Sequence, residues 1–247
     1  MYNFSLPYEY QGHSQFGETG IIELILTGLK DPHKTFVEIG FGTGNQNMTM
    51  DLLDRGYTGV GVDGRDWDLD TPNRWGNSIT KIQQMITVDD VVDLLKPVAD
   101  WQCDFFSLDI DSFDYEVAKL LLESGFKPAV VCVEINPNFG STTKASFPYI
   151  PNVKKKTYTR RHFCGSSLSK YTHLWETHGL KFFTLNSISY HNAFYYDPAR
   201  VSLPDVPVIT QIQDNQFDPV IYNETELRKM IAEHAFWKDY QDVIFKT

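Results

Sequence analysis

The chain has 247 residues, 42% of them hydrophobic and 14% aromatic, which is enough apolar mass for the full core of one α/β domain. Its 22 basic and 32 acidic residues leave a formal charge of −10, which excludes a non-specific nucleic-acid binder because phosphate contacts need a basic face; the lone "KKK" at 154–156 does not reverse that. The N-terminus has neither a basic n-region nor an apolar h-region, and no apolar run approaches the roughly 18 residues of a membrane span, so a soluble, cytoplasmic protein is expected.

Short apolar runs alternate with helix-like segments, the pattern of βαβ units around a parallel sheet buried on both faces. A lead-in region, 1–33, carries Ile and Leu at helical spacing over 20–30, "GIIELILTGLK". The core, 34–136, opens with a strand at 34–40, "KTFVEIG". The glycine loop "FGTGN" and a helix through "MTMDLLDRG" follow, with Gly56 fitting a helix C-terminus. A second strand is expected at 58–64 and a third within 78–87; the helix "VDDVVDLLKP" then stops near Pro97. "CDFFSLDI" (103–110) makes a fourth strand, "YEVAKLLLESGF" a helix and "PAVVCVEIN" (128–136) a fifth strand. Cys103 and Cys132 fall inside these apolar runs and, with the distant Cys164, read as reduced core residues.

The regularity breaks after residue 136. A segment over 137–165, rich in Pro, Asn, Ser, Thr and aromatics, is expected to cover the site, since long irregular segments inside a compact domain are usually functional. Region 166–200 supplies a helix at "SSLSKYTHLWETHG" and two closing strands, "LKFFTLNS" and "NAFYYDP". The extension 201–247 starts Pro-rich and ends in the helix-like "NETELRKMIAEHAFWKDYQ", capped at Asn223. The aromatic stripe in "AFWKDYQDVIF" reads as helix packing or a subunit contact, which leaves a homo-oligomer open, and no internal repeat is present.

In "FVEIGFGTGN" the glycines fall at 40, 42 and 44, with Glu38 two residues before the first. A glycine turn between strand and helix lets a ligand approach the backbone closely. A dinucleotide fingerprint needs its third glycine at 45, where this chain has Asn45. The spacing resembles motif I of S-adenosylmethionine-dependent methyltransferases, E/D-x-G-x-G-x-G, in which the leading acid sits near the methionine ammonium. On that reading Glu38, Gly40, Gly42 and Gly44 bind the cofactor, Asp63 at the end of the second strand accepts the ribose hydroxyl protons, and Asp89 or Asp90 meets the adenine amino group. A plain tight turn, or NAD as cofactor, is the alternative.

"FVEIGFGTGNQNMTMDLLDRGYTGVGVDG", "DFFSLDIDSFDYEV", "VVCVEINPNFG", "FCGSSLSKYTHLWETHGLKF" and "HNAFYYDP" together resemble the FkbM-type family of methyltransferases, from about Gln15 to about Arg200. The resemblance implies a Rossmann-like class I methyltransferase fold, a doubly wound, mostly parallel seven-stranded sheet with a reversed last strand. It also implies methylation of hydroxyl groups, on sugars or polyketides, as in surface polysaccharide or natural-product biosynthesis. Related sugar O-methyltransferases hold a divalent ion with acids at the ends of the fourth and fifth strands, and Asp109, Asp111, Glu134 and Asn136 occupy those places here.

The residues themselves fit that chemistry. An alcohol is a poor nucleophile at neutral pH, and an oxygen-bound Mg²⁺ or Mn²⁺ can lower the pKa of a coordinated hydroxyl. Residues 109 and 111 point to one side of an extended segment, and 134 and 136 repeat the spacing. Helix capping and solvation are the plainer reading of the two aspartates, with Asp111, Ser112 or Asp114 as the cap; Asp114 reads as a first-turn charge favoured by the helix dipole. Among seven histidines, His162 and His191 lie near the strand ends and are candidates for the general base, as is Asp109. Arg160 and Arg161 suit a nucleotide-linked sugar as the small-molecule acceptor, or are a solvated basic loop. Two rivals stand beside the methyltransferase: an NAD-dependent sugar-nucleotide oxidoreductase or epimerase, and a non-catalytic cofactor-binding partner subunit.

Overall fold

The computed structural model describes residues 3–42, 46–65, 73–151, 153, 163–213 and 221–246. Among them seven strands form one sheet: β1 (Thr35–Ile39), β2 (Thr58–Asp63), β3 (Ile79–Gln83), β4 (Phe105–Leu108), β5 (Val130–Glu134), β6 (Lys181–Leu185) and β7 (Asn192–Tyr196). Their spatial order is β3-β2-β1-β4-β5-β7-β6. The first five are parallel, and β7 runs antiparallel between β5 and β6. This is the Rossmann-like class I methyltransferase fold with its reversed last strand. The chain reverses its winding between β1 and β4, so the crevice at the carboxyl ends of these strands is where such sheets bind ligands.

The short β-rich runs form strands because both faces are covered. Val37, Ile39, Phe106, Leu108, Val131 and Val133 enter a layer built by α3 (Val91–Leu95), α4 (Asp114–Glu123) and α5 (Leu168–Thr177). Their alternate neighbours Phe36, Phe105, Val130 and Cys132 enter the opposite layer under α1 (Glu18–Thr27) and α2 (Met50–Asp54). In α4, Val117, Ala118, Leu121 and Leu122 recur at helical spacing and are all buried. The three cysteines are buried and form no disulfide.

The helices differ from the sequence expectation mainly in length. The lead-in helix begins at Glu18 and ends at Thr27, because the chain turns to bond with the segment after β7: Lys30 donates to the Arg200 carbonyl at 2.8 Å, and Ser202 donates to that of Gly28 at 2.9 Å. Likewise the helix expected through 48–56 is only Met50–Asp54. At the far end Asn223 caps α6 (Glu224–Glu233) in a reciprocal box with Glu226. The expected single helix over 223–241 is instead broken at His234, which takes an extended conformation (φ −78°, ψ 129°). Its Nδ1 accepts from the backbone N–H groups of Phe236 and Trp237 at 3.2 and 3.1 Å, so a 3₁₀ turn (Trp237–Tyr240) and α7 (Gln241–Ile244) set off in a new direction.

That break lets Trp237 enter a third apolar cluster with Phe139, Phe147, Cys164, Leu227 and Ile244, so the aromatic stripe packs within the chain. The extension thereby docks on residues 139–147 and on α5: Ser146 N–H bonds the Ile244 carbonyl at 3.0 Å, and Lys170 Nζ bonds that of Lys246 at 2.5 Å. The other end of segment 137–165 reaches the loop after β4, where Gly165 N–H donates to the Ser112 carbonyl at 2.8 Å. Trp237 is fully buried against Phe147, Phe236 and Tyr240. Trp237→Ala should cost about 3–5 kcal/mol, read as a lowered urea midpoint.

Candidate functional site

Strand alternation puts Glu38, Asp109 and Glu134 in series with Phe36, Phe105 and Val130, so all three acids belong to the α1/α2 face at the carboxyl ends of β1, β4 and β5. The two inner strands meet very closely just beyond their ends. Gly40 has φ 91°, and a Cβ there would lie 1.5 Å from the Asp109 carbonyl oxygen, so only glycine fits. Gly42 (φ 66°) then turns its N–H onto Asp63 Oδ2 at 2.7 Å.

Glu38 is 4% exposed and faces inward beneath the glycine turn. It accepts from Met48 N–H at 3.0 Å and from the Thr49 hydroxyl, fastening the start of α2 to the end of β1. Burial pushes its carboxyl up to about 7 against the opposing pull of these bonds. The expected ammonium partner is thus a structural acceptor in this conformation.

Asp63 ends β2 as the sequence places it, and its acceptor sites are filled by the protein. Oδ1 accepts from Arg65 N–H at 2.7 Å and Nε at 3.1 Å; Oδ2 accepts from Gly42 N–H and from an Arg65 η-nitrogen at 3.2 Å. Burial alone would raise this carboxyl, but these donors and the Arg65 charge hold it below the usual range. Arg65, which the sequence reading missed, also feels the charges of Asp111 and Asp109. The only sequence cue is its place in the turn just after β2. Asp90 accepts from Thr87 N–H at 2.7 Å and from Gln84 Nε2 at 3.1 Å, closing the turn before α3, whereas Asp89 is exposed.

The ligand oxygens of Asp109, Asp111 and Glu134 all lie within 4.8 Å of one another. Three carboxylates so disposed are a hard oxygen donor set that fits Mg²⁺ or Mn²⁺. Their convergence does not arise from an extended segment as expected: β4 ends at Leu108, and Asp111 has φ 55°, in the left-handed region. A curled loop brings it back. Burial, then the charges of Asp109, Asp111 and Asp114, holds the Glu134 carboxyl well above its ordinary range.

Asp114 lies in the first turn of α4, as the sequence places it, and is 1% exposed. It accepts from Ile110 N–H at 2.6 Å and Ser112 N–H at 2.9 Å, the residues on either side of Asp111, and so fixes the curl. Burial, with the charge of Asp109, raises it to about 7. Asn136 is engaged within the protein: its Oδ1 accepts from Asn138 N–H and Nδ2, both at 3.1 Å, while its Nδ2 donates to the Cys164 carbonyl at 3.1 Å. His191 immediately precedes β7 and its carbonyl accepts from Ile135 N–H at 2.6 Å. Gly44, Arg160, Arg161 and His162 lie outside the described residues.

The amino-terminal segment forms a further wall. Glu9 accepts from the Ser187 N–H at 2.7 Å and from the Ser187 hydroxyl, in the turn before β7. Glu18, fully buried, accepts from Asn192 Nδ2 at 2.8 Å and Asn186 Nδ2 at 3.3 Å, and Asn192 is the cross-strand partner of Glu134. On the other flank Asp51 of α2 accepts from His13 N–H at 2.9 Å, His13 Nδ1 at 2.8 Å and the Thr19 hydroxyl at 2.8 Å.

No protein-family model matches the chain, and no curated protein matches it. Among solved structures it is similar to a protein described as a candidate hemolysin from Lactococcus lactis, with 16% identity, 72% of this chain and 85% of that one covered, and a TM-score of 0.45. It is also similar to the Burkholderia thailandensis 1,6-didemethyltoxoflavin-N1-methyltransferase bound to its substrate and S-adenosylhomocysteine (11%, 65% and 68%, 0.40). A third is the N-terminal domain of EvdMO1 with SAH bound (12%, 68% and 74%, 0.40). At such identities and TM-scores these likenesses assign no activity to the chain.

The raised Glu38 carboxyl has a sign that can be measured. A folded carboxyl titrating near 7 rather than 4.5 contributes stability that is fully present below 4.5 and is lost as pH rises through 7. Glu38→Gln removes this titration. Across that window the stability of the wild type should therefore fall by about 3 kcal/mol relative to Glu38→Gln, read from urea midpoints at the two ends.

Proposed function

We propose that the chain is an S-adenosylmethionine-dependent O-methyltransferase acting on a hydroxyl of a sugar, a nucleotide-linked sugar included, with a divalent cation held by Asp109, Asp111 and Glu134. The observation that carries this reading is the clustering of those three carboxylates beside the Gly40 turn, at the switch point of a class I methyltransferase sheet. The motif resemblance to the FkbM-type family supports the same class.

In this reading Asp63 and the Gly42 N–H face the nucleoside, and the ribose hydroxyls exchange with the Arg65 donors that now fill the carboxylate. Gly40 keeps the turn low enough for the methionine end to lie near the β4 exit. A cation bound by Asp109, Asp111 and Glu134 would supply charge that acidifies the acceptor hydroxyl. Asp114 keeps Asp111 curled towards its two partners, and the crowding that raises Glu134 is the repulsion a cation would relieve.

Calorimetry should detect S-adenosylhomocysteine binding and no NAD binding; tight NAD binding without it would sink this reading in favour of an oxidoreductase. Labelled methyl transfer to a panel of sugar nucleotides separates an enzyme from a silent partner subunit. Chelation by EDTA, Asp109→Asn and Glu134→Gln should each lower turnover by about 100-fold while S-adenosylhomocysteine still binds. Full activity in all three would remove the cation from the mechanism.

A further inference from the structure

Two His–Asp pairs stand at opposite ends of the sheet. His33 Nδ1 meets Asp100 Oδ2 at 2.8 Å just before β1, where Asp104 also accepts from the His33 and Lys34 N–H groups at 3.2 and 2.7 Å; this is the amino end, away from the acids. His13 Nδ1 meets Asp51 Oδ1 at the same 2.8 Å, but at the carboxyl end. Identical local chemistry at the two places makes position the deciding property.

The position of His13 follows from its neighbours. Residues 9–19 are anchored beside β7 through Glu9–Ser187 and Glu18–Asn192, and beside β1 through His13–Asp51 and Thr19–Asp51, because Thr49, two residues before Asp51, is bonded to Glu38. β4 and β5 lie between β1 and β7. The segment therefore crosses the carboxyl edge in front of Asp109 and Glu134, with His13 on the glycine-turn side. The imidazole is 40% exposed, so it is open to a small acceptor. Asp51 fixes it twice over, through Nδ1 and through the residue's own N–H, and is itself held by Thr19, whose hydroxyl is braced by Ser14 Oγ at 2.9 Å. Burial would raise the Asp51 carboxyl, but these donors hold it below its usual range, so it stays an acceptor. With Asp51 as acceptor the neutral ring carries its proton on Nδ1, which leaves the lone pair on Nε2.

We propose that His13 is the general base that removes the acceptor hydroxyl proton, with Asp51 as its positioning residue; this rests on the methyltransferase reading above. The acceptor oxygen bonds to the sulfonium methyl carbon, the carbon–sulfur bond breaks with its electron pair going to sulfur, and the hydroxyl proton passes to His13 Nε2 and thence to water. A cation held by Asp109, Asp111 and Glu134 would withdraw charge from the hydroxyl whose proton the imidazole receives.

His13→Ala should lower methyl-transfer turnover by about 100-fold with S-adenosylhomocysteine affinity unchanged in calorimetry, and added imidazole should restore part of the loss. Asp51→Asn should lower turnover by about 10-fold or more, and the double variant should be no worse than His13→Ala alone. His33→Ala, the matched pair at the other end, should keep full turnover. Independently of activity, long-range ¹H–¹⁵N spectra should show neutral His13 protonated at Nδ1, and Asp51→Asn should lose that preference. Full turnover in His13→Ala, a loss that imidazole does not restore, or a ring protonated at Nε2 would overturn the assignment. A wild-type protein that fails to bind S-adenosylhomocysteine would overturn the methyltransferase reading itself, a result distinguishable from any of these.

Discussion

The two-residue period of β1, β4 and β5 is the constraint on which the rest depends. Phe36, Phe105, Val130 and Cys132 must face α1 and α2 to bury the second apolar layer. Once they do, the next residues of the same parity, Glu38, Asp109 and Glu134, have no choice of side. A slip of one residue in any of these strands would turn its acid into the opposite layer, among Val37, Phe106, Leu108 and Val131. The strands thus set the side of Glu38, Asp109 and Glu134, and the Asp114-braced curl after β4 adds Asp111 to Asp109 and Glu134.

The two ends of the sheet handle acids differently. At the amino end the fully buried Asp104 is neutralised by Arg200 at 2.9 Å and by two backbone N–H groups, an arrangement suited to holding the fold. At the carboxyl end Glu9, Glu18, Glu38, Asp114 and Glu134 are all raised by burial, Glu134 further by the charges of Asp109, Asp111 and Asp114. That end gives up stability near neutral pH in return for a concentration of carboxylate chemistry, an imbalance that marks sites rather than scaffolds.

Much of the fold was legible in the sequence because it is written in local patterns. Short apolar runs became β1, β2, β4 and β5, and the Asn223 box became the cap of α6. The positions of Asp63, Asp109, Asp111 and Glu134 at strand ends followed from the same patterns. Partners did not. That Glu38 turns down to Thr49, that Asn136 bonds Cys164 and Asn138, and that Asp114 is buried are long-range outcomes of how loops fold back, and residue type alone favours the opposite assignment for each. The break at His234 was hidden for a similar reason: only the cavity awaiting Trp237 makes a turn there better than continued helix.

The left-handed backbone of Asp111 limits what sequences this site can explore. At φ 55° glycine, asparagine and aspartate sit with the least strain, and of these only aspartate brings a full negative charge. Drift at this position is therefore channelled: a descendant that loses the charge will pass to asparagine or glycine rather than to glutamate or a branched residue. Chains of this architecture that read Asn or Gly at the third place of the "DID" run, with Gly40 and the buried Asp114 retained, would be lineages that kept the loop after relinquishing its anion.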